Sequence, residues 1–177
     1  MKGTKIAYRY AKALLELTLE QNNLEKVRSN MQSLHKVDAE NIDFQNLLKS
    51  PIVKADKKIA IFHSIFSDFE KITLSFIDLI TRNNREFLLA DIAYSFDIIY
   101  KEHKGIVPVS IVSASALSET TKAAIIAKVS SSIKGEVEVQ SSIDETLIGG
   151  FIVKMGDKYF DASIANQFKN LKQSLTR

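Results

Sequence analysis

The chain changes its apolar periodicity once, close to Gly105. Before this glycine, apolar residues recur every three or four positions, which is the spacing of one face of an α-helix. After it, residues 106–112 are rich in β-branched side chains, and a later segment alternates apolar and polar residues as a half-buried strand does. The switch predicts two domains, an all-helical domain over residues 1–105 and a small α/β domain over residues 106–177.

The first 105 residues predict a bundle of six helices. The first, fifth and sixth helices are expected over residues 5–20, 69–83 and 87–103. The second follows the apolar stripe Leu24, Val27, Met31 and Leu34, the third lies around Phe44, Leu47 and Leu48, and the fourth has Asp56 in its first turn and Ile59, Phe62 and Phe66 inward. Asn22 or Asn23 can cap the second helix, and Ser50-Pro51 ends the third. Asn84 follows the fifth helix, where a C-cap needs the left-handed geometry that Asn tolerates.

The remaining residues predict the element order β-α-β-β-β-α, which makes the whole chain an α+β protein. Pro108 in the first strand favours an edge or first-residue position, because proline cannot donate a ladder hydrogen bond. Ser118 can cap a helix over residues 118–133, and Val137 and Val139 face one side of a half-buried strand. The apolar residues of a terminal helix are Ile164, Phe168, Leu171 and Leu175.

Residues 142–164 contain three glycines and three aspartates within a short β-rich segment. Gly156-Asp157 separates two short apolar runs and predicts a hairpin with a two-residue type II′ loop. Gly149-Gly150 inside a strand predicts a bulge or a close backbone approach. The aspartates Asp144, Asp157 and Asp161 lie at a strand end, a turn and a helix entrance, where Asp usually bonds backbone groups. We therefore interpret this motif as structural rather than catalytic or metal-binding.

The sequence offers no active site and no cofactor motif. It has no cysteine, its three histidines fall on three different predicted helices, and no phosphate-binding glycine motif is present. The formal charge of +3 comes from 24 basic and 21 acidic residues, so the surface is mixed and does not require nucleic acid. No apolar run is long enough to span a membrane, and the N-terminus lacks signal-peptide features, so we expect a cytoplasmic, non-enzymatic protein.

The first and fifth helices carry more apolar surface than one buried stripe requires. The first helix has two adjoining apolar rows, one of Ile6, Tyr10, Ala13 and Leu17 and one of Ala7, Ala11, Leu14 and Thr18. Such a surplus is either additional core or a groove for a partner helix, and periodicity alone leaves both open.

Four short motifs follow one another along nearly the whole chain. They are Tyr8-Arg9-Tyr10-Ala11-Lys12-Ala13-Leu14, Leu47-Leu48-Lys49-Ser50-Pro51, Asn83-Asn84-Arg85, and Leu147-Ile148-Gly149-Gly150-Phe151 with Gly156-Asp157 and Asp161-Ala162-Ser163. With these motifs at this spacing, the chain resembles the δ-subunit family of F-type ATP synthases, known in mitochondria as the oligomycin-sensitivity-conferring protein. Asn84 departs from the glycine that the family often has there, but Asn can hold the same cap geometry.

The resemblance implies a non-catalytic peripheral-stalk subunit that joins the catalytic head to the membrane-anchored b subunits during ATP synthesis. It implies one copy per complex, at the cytoplasmic face of the bacterial inner membrane, with membrane contact only through the complex. It also implies that the N-terminal helix of an α subunit binds between the first and fifth helices, and that the C-terminal domain meets the b subunits.

On this basis the groove is predicted to contain Ile6, Tyr10, Ala13, Phe76 and Leu79, while Ala7, Ala11 and Leu14 face the bundle core. The alternative from another class is a small RNA-binding helical module, since compact basic bundles can bind RNA. Lys57-Lys58 is the only adjacent basic pair, which argues against that alternative.

Overall fold

A computed structural model of the chain describes residues 5–116, 118–130, 136–144, 147–156, 158–166 and 168. The α+β fold class predicted from the sequence is confirmed. The chain forms two compact units, Met1–Tyr100 and Lys101–Arg177. Among the described residues, no helix has the length and hydrophobicity that crossing a bilayer requires.

The first unit is built from α-helices. Their bounds are α1 Lys5–Glu20, α2 Leu24–Glu40, α3 Ile42–Lys49, α4 Ala55–Ile65, α5 Lys71–Arg82 and α6 Leu89–Lys104. The last turn of α6, residues 101–104, belongs to the second unit. The helix count is not exact, because a short 3-10 helix, Glu86–Leu88, precedes α6 and occupies the residues predicted as its start. The core of this unit includes Ala7, Leu14, Val27, Met31, Leu34, Phe62, Ile77, Ile80, Ile92 and Phe96.

The corner after α5 is formed as the sequence predicts. Asn84 has a positive φ of 55°. Its N–H donates to the carbonyl of Thr81, and the N–H of Arg85 donates to the carbonyl of Ile80, which is the Schellman pattern. At the start of α2, Asn23 holds the N-cap position, but its side chain makes no capping hydrogen bond.

The second unit contains a four-stranded sheet in the order β2-β1-β3-β4. The strands are β1 Ile106–Ser113, β2 Glu136–Ile143, β3 Phe151–Met155 and β4 Lys158–Asp161, and α7 Glu119–Ser130 lies between β1 and β2. Strands β1 and β2 are parallel, which requires a crossover such as α7. Strands β1, β3 and β4 are paired antiparallel. Val109, Ile111 and Val153 form the core of this unit, and Val137 and Val139 pack against it.

Pro108 lies in an inner strand, so the prediction of an edge or first-residue position was wrong. The pairing register explains why the proline is tolerated. Strand β3 pairs with β1 from Val109 to Ser113, while Pro108 is opposite Glu138 of β2 alone. The missing N–H therefore lies where β1 has a neighbour on one side.

The hairpin between β3 and β4 is confirmed by the pairing of Met155 with Lys158. Gly156 opens its two-residue loop with a positive φ of 53°, and Asp157 lies outside the described residues. Ser163 caps the start of the terminal helix, since its hydroxyl accepts the N–H of Asn166 at 3.3 Å. The backbone of residues 164–166 and 168 is helical, whereas Leu171 and Leu175 lie outside the described residues.

Candidate partner-binding surface

Helix α1 has an inner and an outer face, which separate the two apolar rows seen in the sequence. Ala7, Ala11 and Leu14 are fully buried in the bundle. On the other row, Ala13 is exposed and Ile6 retains 45% of its accessible surface. Leu17 extends this exposed apolar row toward the end of the helix.

Tyr10 connects the exposed row of α1 to α5. Its ring makes an edge-on contact with Phe76, with ring centroids 6.4 Å apart and an interplanar angle of 73°. Arg85 Nη1 donates a hydrogen bond to Tyr10 Oη at 2.6 Å, and the guanidinium carbon lies 5.7 Å from the ring centroid. Because the Schellman corner fixes the backbone at Arg85, the position of the Tyr10 ring is held from two sides.

The two residues predicted on α5 have different environments. Leu79 is 53% exposed, as a groove residue should be. Phe76 is 8% exposed, so in the free protein it is a buried residue rather than an open one. Phe76 contacts the exposed row of α1 through the ring of Tyr10.

A surface pocket of about 470 Å³ is lined by Ile6, Arg9, Tyr10, Ala13 and Arg85. The structure thus brings the three predicted α1 residues together in one depression. It adds two arginines that the sequence analysis did not assign to the groove. Arg9 belongs to the motif of residues 8–14, and Arg85 belongs to the motif of residues 83–85. They come together because the corner after α5 places Arg85 beside Tyr10, 75 positions away in the sequence.

A second pocket of about 540 Å³ lies on the neighbouring side of α1. It is lined by Lys5, Tyr8, Arg9 and Lys12. Arg9 lines both pockets, so a basic margin borders the apolar depression directly.

The glycine motif of the second unit is a site of close backbone approach. Gly150 has a φ of 85°, and a Cβ atom there would lie 2.4 Å from the carbonyl oxygen of Ala162. A Cβ at Gly149 would lie 2.5 Å from the Cδ1 atom of Ile164. Both glycines belong to a bend over residues 147–150 that precedes β3, which corrects the expectation that they interrupt a strand.

Asp161 closes this motif from the other side. Its carboxylate accepts the N–H of Ser163 at 2.8 Å, and its carbonyl accepts the side-chain amide of Asn166 at 3.0 Å. Hydrogen bonds from Ser163 lower the pKa of Asp161, and the one from its side chain has the larger effect, followed by the one from its backbone. Asp161 therefore stabilises the local backbone of this motif through hydrogen bonds.

Residues 6–175 match the family model described as ATP synthase delta (OSCP) subunit, which is nearly the whole chain. The chain belongs to the ATP synthase delta (OSCP) subunit family. Among curated relatives, it is 34% identical to the ATP synthase subunit delta of Christiangramia forsetii over 175 residues, covering 99% of this chain and 95% of that protein. It is 37% identical to the corresponding subunit of Pelodictyon phaeoclathratiforme over 169 residues, covering 94% of each.

The fold of this delta (OSCP) family member also matches a solved structure. A chain of the Toxoplasma gondii mitochondrial ATP synthase hexamer, determined by cryo-EM, superposes with a TM-score of 0.76. The two chains are 22% identical, and the match covers 98% of this chain and 99% of the other. At this identity the likeness establishes the shared fold.

Membership of the delta (OSCP) family makes the chain a structural subunit of the ATP synthase stalk, not an enzyme. Within the residues that the structure describes, no group of three or more His, Cys, Asp or Glu side chains could hold a metal ion. The surfaces that matter for such a subunit are those that meet neighbouring subunits.

The second unit has exposed apolar surface near its glycine motif. The exposed apolar side chains of the described residues include Ile148, Tyr159, Phe160 and Phe168, of which Ile148 retains 82% of its accessible surface. Strand β4 carries two of them and is an edge strand of the sheet. Exposed apolar residues on an edge strand are typical of a surface that another chain covers.

Proposed function

We propose that the depression on α1 and α5 binds the N-terminal helix of an ATP synthase α subunit. The observation that carries this proposal is the pocket lined by Ile6, Tyr10 and Ala13 on α1. On α5, the side chain of Leu79 is exposed. An amphipathic helix binds such a groove through a few apolar anchors. Ala13 lets a partner backbone come close, because its side chain is small.

The surroundings of Tyr10 support this assignment. A tyrosine ring supplies a large apolar surface and a polar end at little entropic cost. Here the contacts with Phe76 and Arg85 hold the ring in place. A partner helix would therefore meet a preorganised surface, and less ordering would oppose its binding.

The second unit is proposed to bind the b subunits of the peripheral stalk. Its exposed residues Ile148, Tyr159 and Phe160 supply apolar contact area, and Gly149 and Gly150 pack closely against residues 162–164. A stator contact must resist torque through contact area and rigidity. The subunit would then connect the catalytic head to the b subunits at the cytoplasmic face of a bacterial inner membrane, one copy per complex.

Purification of a tagged full chain from native membranes washed at low salt tests this assignment of partners. The parent chain should retain both the α and b subunits. Ala13→Asp should lose α and keep b, because it places a charge in the groove. Gly150→Asp should lose b and keep α, because it disrupts the second unit. Recovery of both partners with either variant would contradict the proposed division of labour.

A further inference from the structure

Helix α1 carries a stripe of charged residues next to its exposed apolar row. From the N-terminus to the C-terminus, the stripe reads Lys5, Arg9, Lys12, Glu16, Glu20. The residues are three or four positions apart, so they lie on one face of the helix. All five are exposed. The stripe is positive along its first half and negative along its second.

This order is the reverse of the one that stabilises an isolated helix. The helix dipole favours acidic residues in the first turn and basic residues in the last turn. Helix α1 has no acidic residue in its first turn and no basic residue in its last. Within the described part of the chain, none of the five side chains forms an ion pair with another residue. Neither helix stability nor contacts among the described residues account for the arrangement.

We propose that this stripe sets the direction of the bound helix, an inference that rests on the proposed α-subunit groove. The partner is an amphipathic helix with an acidic N-terminal half and a basic C-terminal half, lying parallel to α1. Its acidic half faces Lys5, Arg9 and Lys12, and its basic half faces Glu16 and Glu20. An antiparallel helix of the same kind would place like charges together.

The apolar depression reinforces this direction. Arg9 and Arg85 both line the pocket that contains Ile6, Tyr10 and Ala13. An acidic side chain beside the apolar anchors of the partner would therefore be attracted by two positive charges, one on α1 and one at the corner after α5. Charged groups around an apolar interface select partner and register more than they add affinity.

Reversal of the positive half of the stripe tests the role of its charge. The full chain with Lys5→Glu and Lys12→Glu is titrated with a synthetic N-terminal peptide of the α subunit from the same organism. At low salt its affinity should fall about tenfold, since two exposed charges change sign. The control, Lys36→Glu with Lys57→Glu on α2 and α4, changes the net charge equally and should bind like the parent. The difference should shrink at high salt.

The direction of the peptide is measured with spin labels. Because the chain has no cysteine, Gln21→Cys places one label just beyond α1. A label on the last residue of the peptide should be closer to it than a label on the first, by about the 24 Å length of a 16-residue helix. The opposite order of distances would overturn the proposed direction.

The outcomes also separate this inference from the proposed groove. Failure of the peptide to bind the parent chain would contradict the groove itself. Normal binding that is equally insensitive to the stripe and control reversals would leave the groove and overturn the charge stripe. Salt-sensitive dimers of the parent chain that the stripe reversal abolishes, without an effect on the peptide, would assign the stripe to a second copy and overturn the proposal.

Discussion

Lys58 Nζ lies 2.5 Å from Glu86 Oε1, and this ion pair is buried within the helical unit. The side chains are only 1% and 11% exposed, and Lys58 also donates to the carbonyl of Leu48 at 3.3 Å. The pair therefore joins α4, the end of α3 and the 3-10 turn that follows Arg85. The other carboxylate oxygen of Glu86 accepts no hydrogen bond from the described residues.

Replacement of Lys58 alone should destabilise the chain strongly. Lys58→Met removes the positive charge and leaves the buried carboxylate of Glu86 without its partner, which typically costs about 3–5 kcal/mol. Thermal and urea unfolding followed by circular dichroism measure this loss.

The double variant Lys58→Met with Glu86→Leu is the control. Because it replaces both charges by apolar groups, it should recover much of the stability lost in Lys58→Met. A double variant that is less stable than Lys58→Met would contradict this expectation. It would mean that the two side chains stabilise the fold by their contacts more than by neutralising each other's buried charge.

Gly150→Asp should disrupt the second unit. Its Cβ would meet the backbone of Ala162, and an L-residue is strained at a φ of 85°. We expect loss of strand signal in circular dichroism and loss of b-subunit binding, with the helical unit unchanged.

Gly156 supplies a matched control, because its φ is 53° but a Cβ there would meet nothing within 4 Å. Gly156→Ala should lower the free energy of unfolding only by the conformational strain, about 1–2 kcal/mol. Gly150→Ala should cost more, through the added steric clash. Equal costs for the two alanine variants would show that close approach at Gly150 is unimportant.

Asp161 should make the second unit sensitive to acid. Hydrogen bonds from Ser163 lower its folded-state pKa, so its stabilising contribution is present above the unfolded pKa and is lost as pH falls through the folded value. Asp161→Asn should therefore differ most in melting temperature from the parent near neutral pH. The difference should narrow below about pH 4, near the unperturbed Asp pKa. A difference that does not depend on pH would assign the effect to shape rather than charge.

Limited trypsin digestion should cut the chain early after Lys104. Gly105 alone separates α6 from β1, and its backbone has a positive φ of 67°. We expect both fragments to keep their secondary structure, because each half has its own apolar core. Collapse of both fragments after the cut would indicate one shared core.

Periodicity was sufficient to predict most helices and to divide the apolar residues of α1 into two rows, because the repeat of a helix fixes which side chains share a face. The choice of the row that faces inward also used the family resemblance. The bounds of α1 and the left-handed Asn84 followed from local signals alone. The hairpin at Gly156 also needed only its two loop residues and their neighbours.

The features that the sequence did not predict are set by contacts distant in sequence. Pro108 is tolerated because β3 stops short of it, and the sequence does not reveal that pairing register. Phe76 is buried and contacts the ring of Tyr10, which belongs to another helix. Arg85 contacts Tyr10 across 75 positions of sequence, because of a corner whose direction helical periodicity does not predict.

The outward row of α1 forms the proposed groove, and a comparison of two alanines on the same helix tests this assignment. Ala13 is exposed in the proposed groove, and Ala11 is fully buried in the bundle.

The measurement is titration of a synthetic α-subunit N-terminal peptide against the full parent chain and each aspartate variant, with thermal melts alongside. Ala13→Asp should weaken binding by about 2 kcal/mol or more with a nearly unchanged melt, because it puts an unpaired charge in the interface. Ala11→Asp should instead lower the melting temperature steeply. Equal peptide affinity for the parent chain and Ala13→Asp would contradict the groove.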